Sequence, residues 1–160
     1  MKFQKDSLEK KIKQKKLDER INLVVGDGEA LDFKENKFDL VTISLGIRNY
    51  ENPNKGLKEI WRVLKNKGTI IVLEFSKPSN KILAILYNIY FTKILPFIGG
   101  LLSSKSAYNY LPDSVEKFPY GKDFKQILEK NQFTNVKINP LTFGIVTIYI
   151  ATKNKFQRFD

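Results

Sequence analysis

The chain has 160 residues and 42% of them are hydrophobic, which suits one globular domain with a core of its own. Its sequence contains no cysteine and no histidine. Disulfides, thiolate metal sites and histidine general bases are therefore excluded. The first residues lack the apolar stretch of a signal peptide, so the cytoplasm is the expected compartment.

The formal net charge of +11 raises the question of an anionic partner. The basic residues are mostly lysines spread along the chain, and they form no arginine-rich patch with interleaved aromatic residues. The lysines of residues 10–16 fit the solvated face of a helix. We therefore expect no nucleic-acid partner, whereas peripheral contact with anionic lipid head groups stays open.

The first half of the chain alternates between predicted strands and predicted helices. Residues 5–18 carry a thin apolar stripe that predicts a mostly polar helix. Short apolar runs predict strands at residues 21–25 and 38–44, and the second is apolar on both faces, as in the interior of a parallel sheet. A helix is predicted to begin at Pro53 and to end near Gly68, before a third strand at 69–74. This order predicts a doubly wound α/β fold.

The middle of the chain breaks this alternation. Residues 82–102 are strongly apolar but contain Lys93, Pro96 and a glycine pair, which argues against a transmembrane span. Three interpretations stay open: a helix packed across the open end of the sheet, an apolar lid over a substrate, or a helix lying in a membrane interface. We therefore treat residues 79–118 as a helical insertion or lid, with a short helix at 105–118.

The last part of the chain has the pattern of a helix followed by a hairpin. Residues 121–131 predict an amphipathic helix. Residues 133–139 and 144–152 predict two antiparallel strands with a turn near Pro140. The tail at 154–160 is expected to be disordered.

Polar residues follow the predicted strands where a ligand site would lie. In open parallel sheets, ligands bind at the carboxyl ends of the strands. The Asp27 carboxylate can accept a hydrogen bond from an amine, and Gly28 lets a flat ring approach the backbone. An ordinary Asp-Gly turn explains the same two residues.

Two further segments have distinctive sequences. Residues 45–49 read LGIRN, and residues 73–78 read LEFSKP. Together with the strand order, they resemble the ubiquinone/menaquinone biosynthesis C-methyltransferases, which belong to the class I methyltransferases that use S-adenosylmethionine. The resemblance covers nearly the whole chain and implies a Rossmann-like sheet with strand order 3-2-1-4-5-7-6 that ends in an antiparallel hairpin. It also implies S-adenosylmethionine as cofactor and a lipid-soluble polyprenylated quinol as substrate.

The resemblance assigns roles to individual residues. It places Asp27 and Gly28 at the adenine and Ser44 beside the cofactor. Arg48 and Asn49 would be catalytic: the arginine stabilises a ring phenolate and, with the asparagine, holds a water that carries a proton away. The open alternatives are that Ser44 bonds locally to backbone and that Arg48 anchors its loop through an ion pair with Glu51.

Other positions follow from the same resemblance. The family's Pro-Gly-Gly turn is replaced here by residues 66–68, in which Asn66 can adopt the left-handed conformation. Glu74 and Ser76 would face the catalytic mouth. Tyr108 and Tyr110 are candidates for substrate contact. No metal site is expected.

The glycine-rich turn that receives the methionine end of the cofactor is missing from this sequence. We therefore expect residues 1–153 to form a partial methyltransferase domain that lacks the first two strands, with an unpaired edge on the strand at 38–44. The chain would be a truncated product, a partial sequence, or a half of a split enzyme completed by an amino-terminal half in trans. The alternative function is a catalytically inactive basic binding module on a decayed methyltransferase scaffold.

Overall fold

The computed structural model describes residues 2–78, 80–89 and 114–154. Their regular elements, in chain order, are α1 (Lys2–Gln14), β1 (Phe38–Ser44), a 3-10 turn (Ile47–Asn49), α2 (Pro53–Val63), β2 (Leu64–Phe75), α3 (Lys81–Ile89), α4 (Lys122–Lys130), β3 (Phe133–Leu141) and β4 (Val146–Lys153). Within these ranges no helix combines the length and apolar character that crossing a bilayer requires.

The four strands form one mixed sheet in the order β1-β2-β4-β3. β1 and β2 are parallel, whereas β4 is antiparallel to both β2 and β3. This order matches the 4-5-7-6 part of the strand order that the resemblance implies. The expected α/β fold with a terminal antiparallel hairpin is therefore confirmed.

β2 is an inner strand of this sheet, and α2 packs beside it. Ile70 and Val72 of β2 are fully buried, and so is Leu57 of α2. Burial of such side chains stabilises the fold by about 1.5–3 kcal/mol each. The helix begins where the sequence predicts, because Asn52 caps it by accepting a hydrogen bond from the backbone of Lys55.

The other part of the core lies between α4 and the hairpin. Phe124 of α4 meets Tyr149 of β4 edge to face, with ring centroids 4.8 Å apart. Leu128 and Phe133 belong to the same buried cluster. The helix thus holds β3 and β4 in place at one side of the sheet.

The prediction of a strand at residues 21–25 is wrong. This segment has no strand partner among the described residues, and Ile21, Val24 and Val25 are 43%, 59% and 56% exposed. A β-rich composition does not make a strand unless a neighbour satisfies the backbone donors and acceptors. β1 is an edge strand of the described sheet, as expected, and its Leu40 is half exposed.

Two turns also differ from the sequence expectation. α2 ends at Val63, and residues 66–68 form a bulge inside β2, where Lys67 rather than Asn66 adopts a positive φ of 66°. In the hairpin, Pro140 lies within β3 and the reversal is at Thr142–Gly144. An edge strand such as β3 tolerates proline, because its outward backbone positions need no ladder donor.

Much of the predicted insertion lies outside the described residues. The described parts of 79–118 are α3 and one helical turn at 114–117. Tyr108 and Tyr110 fall outside the described ranges, as does most of the 154–160 tail. Their expected roles stay predictions.

Candidate functional site

The candidate site begins where β1 and β2 end side by side. The last pair in their register joins Ser44 to Leu73, and the backbone N–H of Leu45 then donates to the Leu73 carbonyl at 2.8 Å. Leu45 has a φ of 51°, which is unusual for a branched apolar residue. Such backbone strain persists where the surroundings enforce it, and it is common at functional sites. It turns the chain sharply into Ile47–Asn49.

Arg48 in this turn is held against the end of β2. Its Nη1 donates to Glu74 Oε1 at 2.7 Å and to the Leu45 carbonyl at 2.6 Å. The backbone N–H of Arg48 also points at Glu74 Oε2, at 3.4 Å. The Glu74 side chain is fully buried and that of Arg48 is 9% exposed. The two charges therefore neutralise each other in a site that is nearly inaccessible to water. The low dielectric of such a site strengthens their attraction, so the pair constrains the local geometry.

One donor of this guanidinium is left over. Arg48 Nε is buried and has no hydrogen-bond acceptor among the described residues. The guanidinium carbon lies 5.3 Å from the centre of the Phe75 ring. Of the two alternatives for Arg48, an ion pair does exist, but the described partner is Glu74 rather than Glu51.

The Asp27-Gly28 loop is a tight local turn. Asp27 Oδ1 accepts a hydrogen bond from the backbone of Glu29 at 2.9 Å, and the backbones of Asp27 and Ala30 form an isolated β-bridge. Asp27 is exposed. The turn interpretation of Asp27 therefore holds for one carboxylate oxygen, and the exposed carboxylate keeps capacity for a further donor.

Tyr50 connects this loop to the Arg48 turn. Its ring lies so close to Gly28 and Gly56 that a Cβ on either glycine would overlap it. Burial raises the pKa of the Tyr50 hydroxyl, and the nearby charges of Asp27 and Glu29 raise this pKa further. The flat ring that Gly28 admits is thus the ring of Tyr50. The loop at 27–30 and the turn at 47–50 lie side by side.

A second set of contacts fastens the loop to α2. Arg62 donates to Glu59 through two nitrogens and to the carbonyls of Leu31 and Phe33 at 2.8 and 2.7 Å. Glu59 in turn accepts from the backbone of Leu31 at 2.9 Å. The hydrogen bond from Arg62 lowers the pKa of the Glu59 carboxyl. This clamp keeps the chain leaving the Asp27 loop on the surface of α2.

The remaining predicted residues divide into exposed and buried ones. Ser44 and Asn49 are exposed at the carboxyl end of β1. Glu74 and Ser76, which were expected to face the catalytic mouth, are 0% and 3% exposed, and Glu74 contacts Arg48 there. Ser76 Oγ is taken up by the sheet, since it lies 2.7 Å from both the Gly144 carbonyl and Thr147 Oγ1.

One contact and one residue of this candidate site were not predicted from the sequence. Glu74 was placed near the site but not paired with Arg48, although the parallel register of β1 and β2 brings them together. Tyr50 was not singled out, and only its position directly after Arg48 and Asn49 pointed to it. In the described part of the chain, no three carboxylates are grouped so that they could hold a metal ion.

Comparison with known proteins decides the family. Residues 3–153 match the model of the ubiE/COQ5 methyltransferase family, which is nearly the whole chain. The chain belongs to this family. The structural features that go with the match are the β1-β2-β4-β3 order and the two segments that meet at Arg48 and Glu74.

Curated relatives are similar over most of this chain. A ubiquinone/menaquinone biosynthesis C-methyltransferase of Geotalea uraniireducens is 48% identical over 84% of this chain and 57% of its own length. A demethylmenaquinone methyltransferase of Bacteroides fragilis is 40% identical over 89% of this chain and 59% of its own length. The chain therefore spans somewhat more than half the length of these relatives.

Solved structures share the fold at low sequence identity. A SAM-dependent methyltransferase from Aquifex aeolicus superposes with a TM-score of 0.56 at 12% identity, over 90% of this chain and 60% of that one. This likeness shows the Rossmann-like methyltransferase fold that the sequence predicts. It says nothing further about chemistry.

Proposed function

We propose that this chain is the carboxyl-terminal part of an enzyme that methylates a ring carbon of a polyprenylated quinol, with S-adenosylmethionine as methyl donor. The proposal is supported above all by Arg48, which is buried at the carboxyl end of β1 with its Nε–H available as a donor. Family membership and the names of the relatives point to the same class of reaction.

The loop at residues 27–30 suits the adenosyl part of such a cofactor. Asp27 is exposed and retains acceptor capacity for an exocyclic amine. Ser44 and Asn49 lie exposed at the neighbouring strand end. S-adenosylmethionine would supply a methyl group that is already activated on a sulfonium. What the protein must add is alignment of the ring carbon, exclusion of water and handling of the ring proton.

Arg48 suits the last of these tasks. Its guanidinium stays protonated near neutral pH, so it donates hydrogen bonds and does not act as a base. We propose that it stabilises the ionised ring hydroxyl, which makes the ring carbon nucleophilic. With Asn49 it would also hold a water that removes the ring proton after methylation.

The described residues carry no glycine-rich phosphate or methionine-binding turn, so we propose that a second segment completes the site. It would be an amino-terminal half that pairs with the free edge of β1, supplied in trans or by a longer form of the chain. Pairing would also cover Leu40, which is half exposed, and Val24 and Val25, which are more than half exposed. On its own, the chain would then bind S-adenosylmethionine weakly.

Contact with a membrane surface is part of this proposal, since a polyprenylated substrate resides in lipid. The net charge of +11 and the exposed Ile82, Ile85 and Ile89 of α3 support it. We propose no nucleic-acid partner.

The test is reconstitution. In the chimera, residue 1 of this chain is preceded by the amino-terminal region of the Geotalea uraniireducens relative. This is the region that lies before the part matched by this chain. We expect the chimera to transfer a labelled methyl group from S-adenosylmethionine to demethylmenaquinol or to a demethylated benzoquinol precursor. A folded chimera that binds S-adenosylmethionine but methylates neither quinol would contradict the proposed reaction. Micromolar binding by the 160-residue chain alone would contradict the need for a second segment.

A competing binding function predicts a different salt response. Electrostatic adhesion of a basic module to vesicles collapses at high salt, whereas cofactor binding in a protein pocket changes little. Surface charges are screened over about 10 Å at about 0.1 M salt, and over a much shorter distance at about 1 M. The chimera should therefore retain S-adenosylmethionine binding at about 1 M salt.

A further inference from the structure

We propose that Glu74 is a positioning residue of the site: it orients and neutralises Arg48 so that the Nε–H of the guanidinium is presented to an oxygen atom of the ring substrate or of its relay water. This inference rests on the proposed function for the identity of the ligand. The geometry that supports it does not.

The first observation is that Glu74 fixes Arg48 from several directions. Its Oε1 accepts from Arg48 Nη1 at 2.7 Å, and the same Nη1 reaches the Leu45 carbonyl at 2.6 Å. Glu74 Oε1 is itself held by the backbone N–H of Phe75 at 3.0 Å. Neither side chain has room to change rotamer cheaply, because Glu74 is fully buried and Arg48 is 9% exposed.

The second observation is the donor that this arrangement leaves over. A buried N–H without an acceptor is unfavourable, and a native structure usually has a reason for keeping one. Arg48 Nε is such an atom, and its residue follows the carboxyl end of β1, the side of a parallel sheet on which ligands bind. An oxygen of a ring hydroxyl, a phenolate or a water has the acceptor lone pairs that this N–H lacks.

The third observation concerns charge. A lone guanidinium in this place would be a buried, uncompensated cation, whereas the carboxylate makes the pair neutral overall. Neutralisation lets the arginine act through a directed hydrogen bond rather than as a free charge. Glu74 therefore sets where the donor points, and Arg48 contacts the ligand.

The experiment uses the chimera and compares Glu74→Gln with Asp39→Asn. Asp39 forms the exposed pair with Lys65 at the other end of β1, so its variant is a matched loss of one carboxylate. We expect Glu74→Gln to lower kcat about 10²-fold with the KM for S-adenosylmethionine within about twofold, since a small misplacement costs that much rate. Asp39→Asn should leave both constants unchanged. A folded Glu74→Gln chimera with wild-type kcat would overturn the inference.

A double variant keeps the test valid if Glu74→Gln destabilises the protein. Arg48→Gln with Glu74→Gln removes both charges and leaves no buried ion unpaired. If Glu74 acts only through Arg48, the double variant is as inactive as Arg48→Gln alone. A further loss of tenfold or more in the double variant would show an independent role and would overturn the inference.

A spectroscopic measurement separates this inference from the proposed function. The Nε–H signal of Arg48, assigned by its loss in Arg48→Lys, should exchange slowly with water and should lose this protection in Glu74→Gln. Glu59→Gln should change the Arg62 signal instead, because Arg62 Nε donates to Glu59. Protection of Arg48 that survives Glu74→Gln would overturn the inference even in a chimera that methylates nothing. A chimera that shows this loss of protection without methyl transfer would instead contradict the proposed function alone.

Discussion

The hydroxyl end of the Tyr50 ring occupies the space into which a side chain on Gly28 would project. This contact joins the loop at residues 27–30 to the turn after β1. The same ring covers Gly56 of α2, so three parts of the chain meet on one aromatic side chain. The predicted adenine loop and the predicted catalytic turn are neighbours for this reason.

The packing of Tyr50 predicts that Gly56→Ala is destabilising. In an ordinary helix interior, alanine is more stable than glycine by about 0.5–1 kcal/mol. Here the added Cβ would overlap the Tyr50 ring, and such overpacking costs about 1–3 kcal/mol. Denaturant unfolding of the two proteins measures the difference. The double variant Gly56→Ala with Tyr50→Leu should recover part of the loss, and a stabilising Gly56→Ala alone would show that the ring lies elsewhere.

The charge near Tyr50 predicts a shift in its ionisation. Burial raises the pKa of Tyr50, and the Asp27 carboxylate adds to this because it disfavours the phenolate. Asp27→Asn should therefore lower the Tyr50 pKa, as followed by NMR of labelled tyrosines. The raised pKa means that the folded state favours the neutral Tyr50 hydroxyl. The contribution of this group to the free energy of unfolding is therefore complete below about pH 10 and declines as the pH rises through the raised value. An unchanged Tyr50 pKa in Asp27→Asn would contradict the proximity of the Asp27 carboxylate to the Tyr50 hydroxyl.

The clamp between α2 and the loop predicts a stability loss in Arg62→Ala. The variant leaves the Leu31 and Phe33 carbonyls without their described donor, so we expect it to lower the free energy of unfolding by more than the loss of one surface ion pair. Lys65→Ala breaks an exposed pair and should cost less than about 1 kcal/mol. Urea midpoints of the two variants make the comparison. Equal midpoints would mean that the clamp contributes no more than a surface ion pair.

The same clamp predicts an acid-dependent component. The hydrogen bond from Arg62 lowers the pKa of Glu59, so the stabilisation is present above the unfolded value of 4.5 and is lost as the pH falls through the folded value. The free energies of unfolding of the wild type and Glu59→Gln should converge below that pH. A difference that stays constant until the Glu59 carboxyl of the folded protein is fully protonated would contradict the assignment.

The strain at Leu45 predicts an inverted order of two substitutions. Leu45→Ala and Leu45→Gly both remove the side chain, but glycine adopts a φ of 51° without strain. Leu45→Gly should therefore be more stable than Leu45→Ala by about 1 kcal/mol, the reverse of the usual order. Thermal unfolding of both variants measures this, and a more stable alanine variant would rule out the positive φ.

The sequence predicted those elements whose signals are local. The apolar run at Phe38–Ser44 carries enough pattern to give both ends of β1, and Pro53 marks the first turn of α2. Residues 21–25 carry the same kind of apolar signal but form no strand. A strand needs a partner as well as a propensity, and no described residue pairs with this segment.

The sequence placed the candidate site at the strand ends but did not reveal the contacts between its residues. The strand ends pointed to Arg48 and Asn49, because ligands gather at the carboxyl side of parallel strands. The partner of Arg48 depends on the register between β1 and β2, which sequence spacing does not reveal. Glu51 was therefore named where Glu74 forms the described pair.

The turn that carries Arg48 is, under the proposed function, half of a methyl-transfer site. The measurement that tests it most directly is single-turnover methyl transfer by the Arg48→Gln chimera at saturating S-adenosylmethionine. We expect a rate about 10²–10³-fold below that of the unmodified chimera, with cofactor affinity retained. A rate equal to that of the unmodified chimera would contradict it.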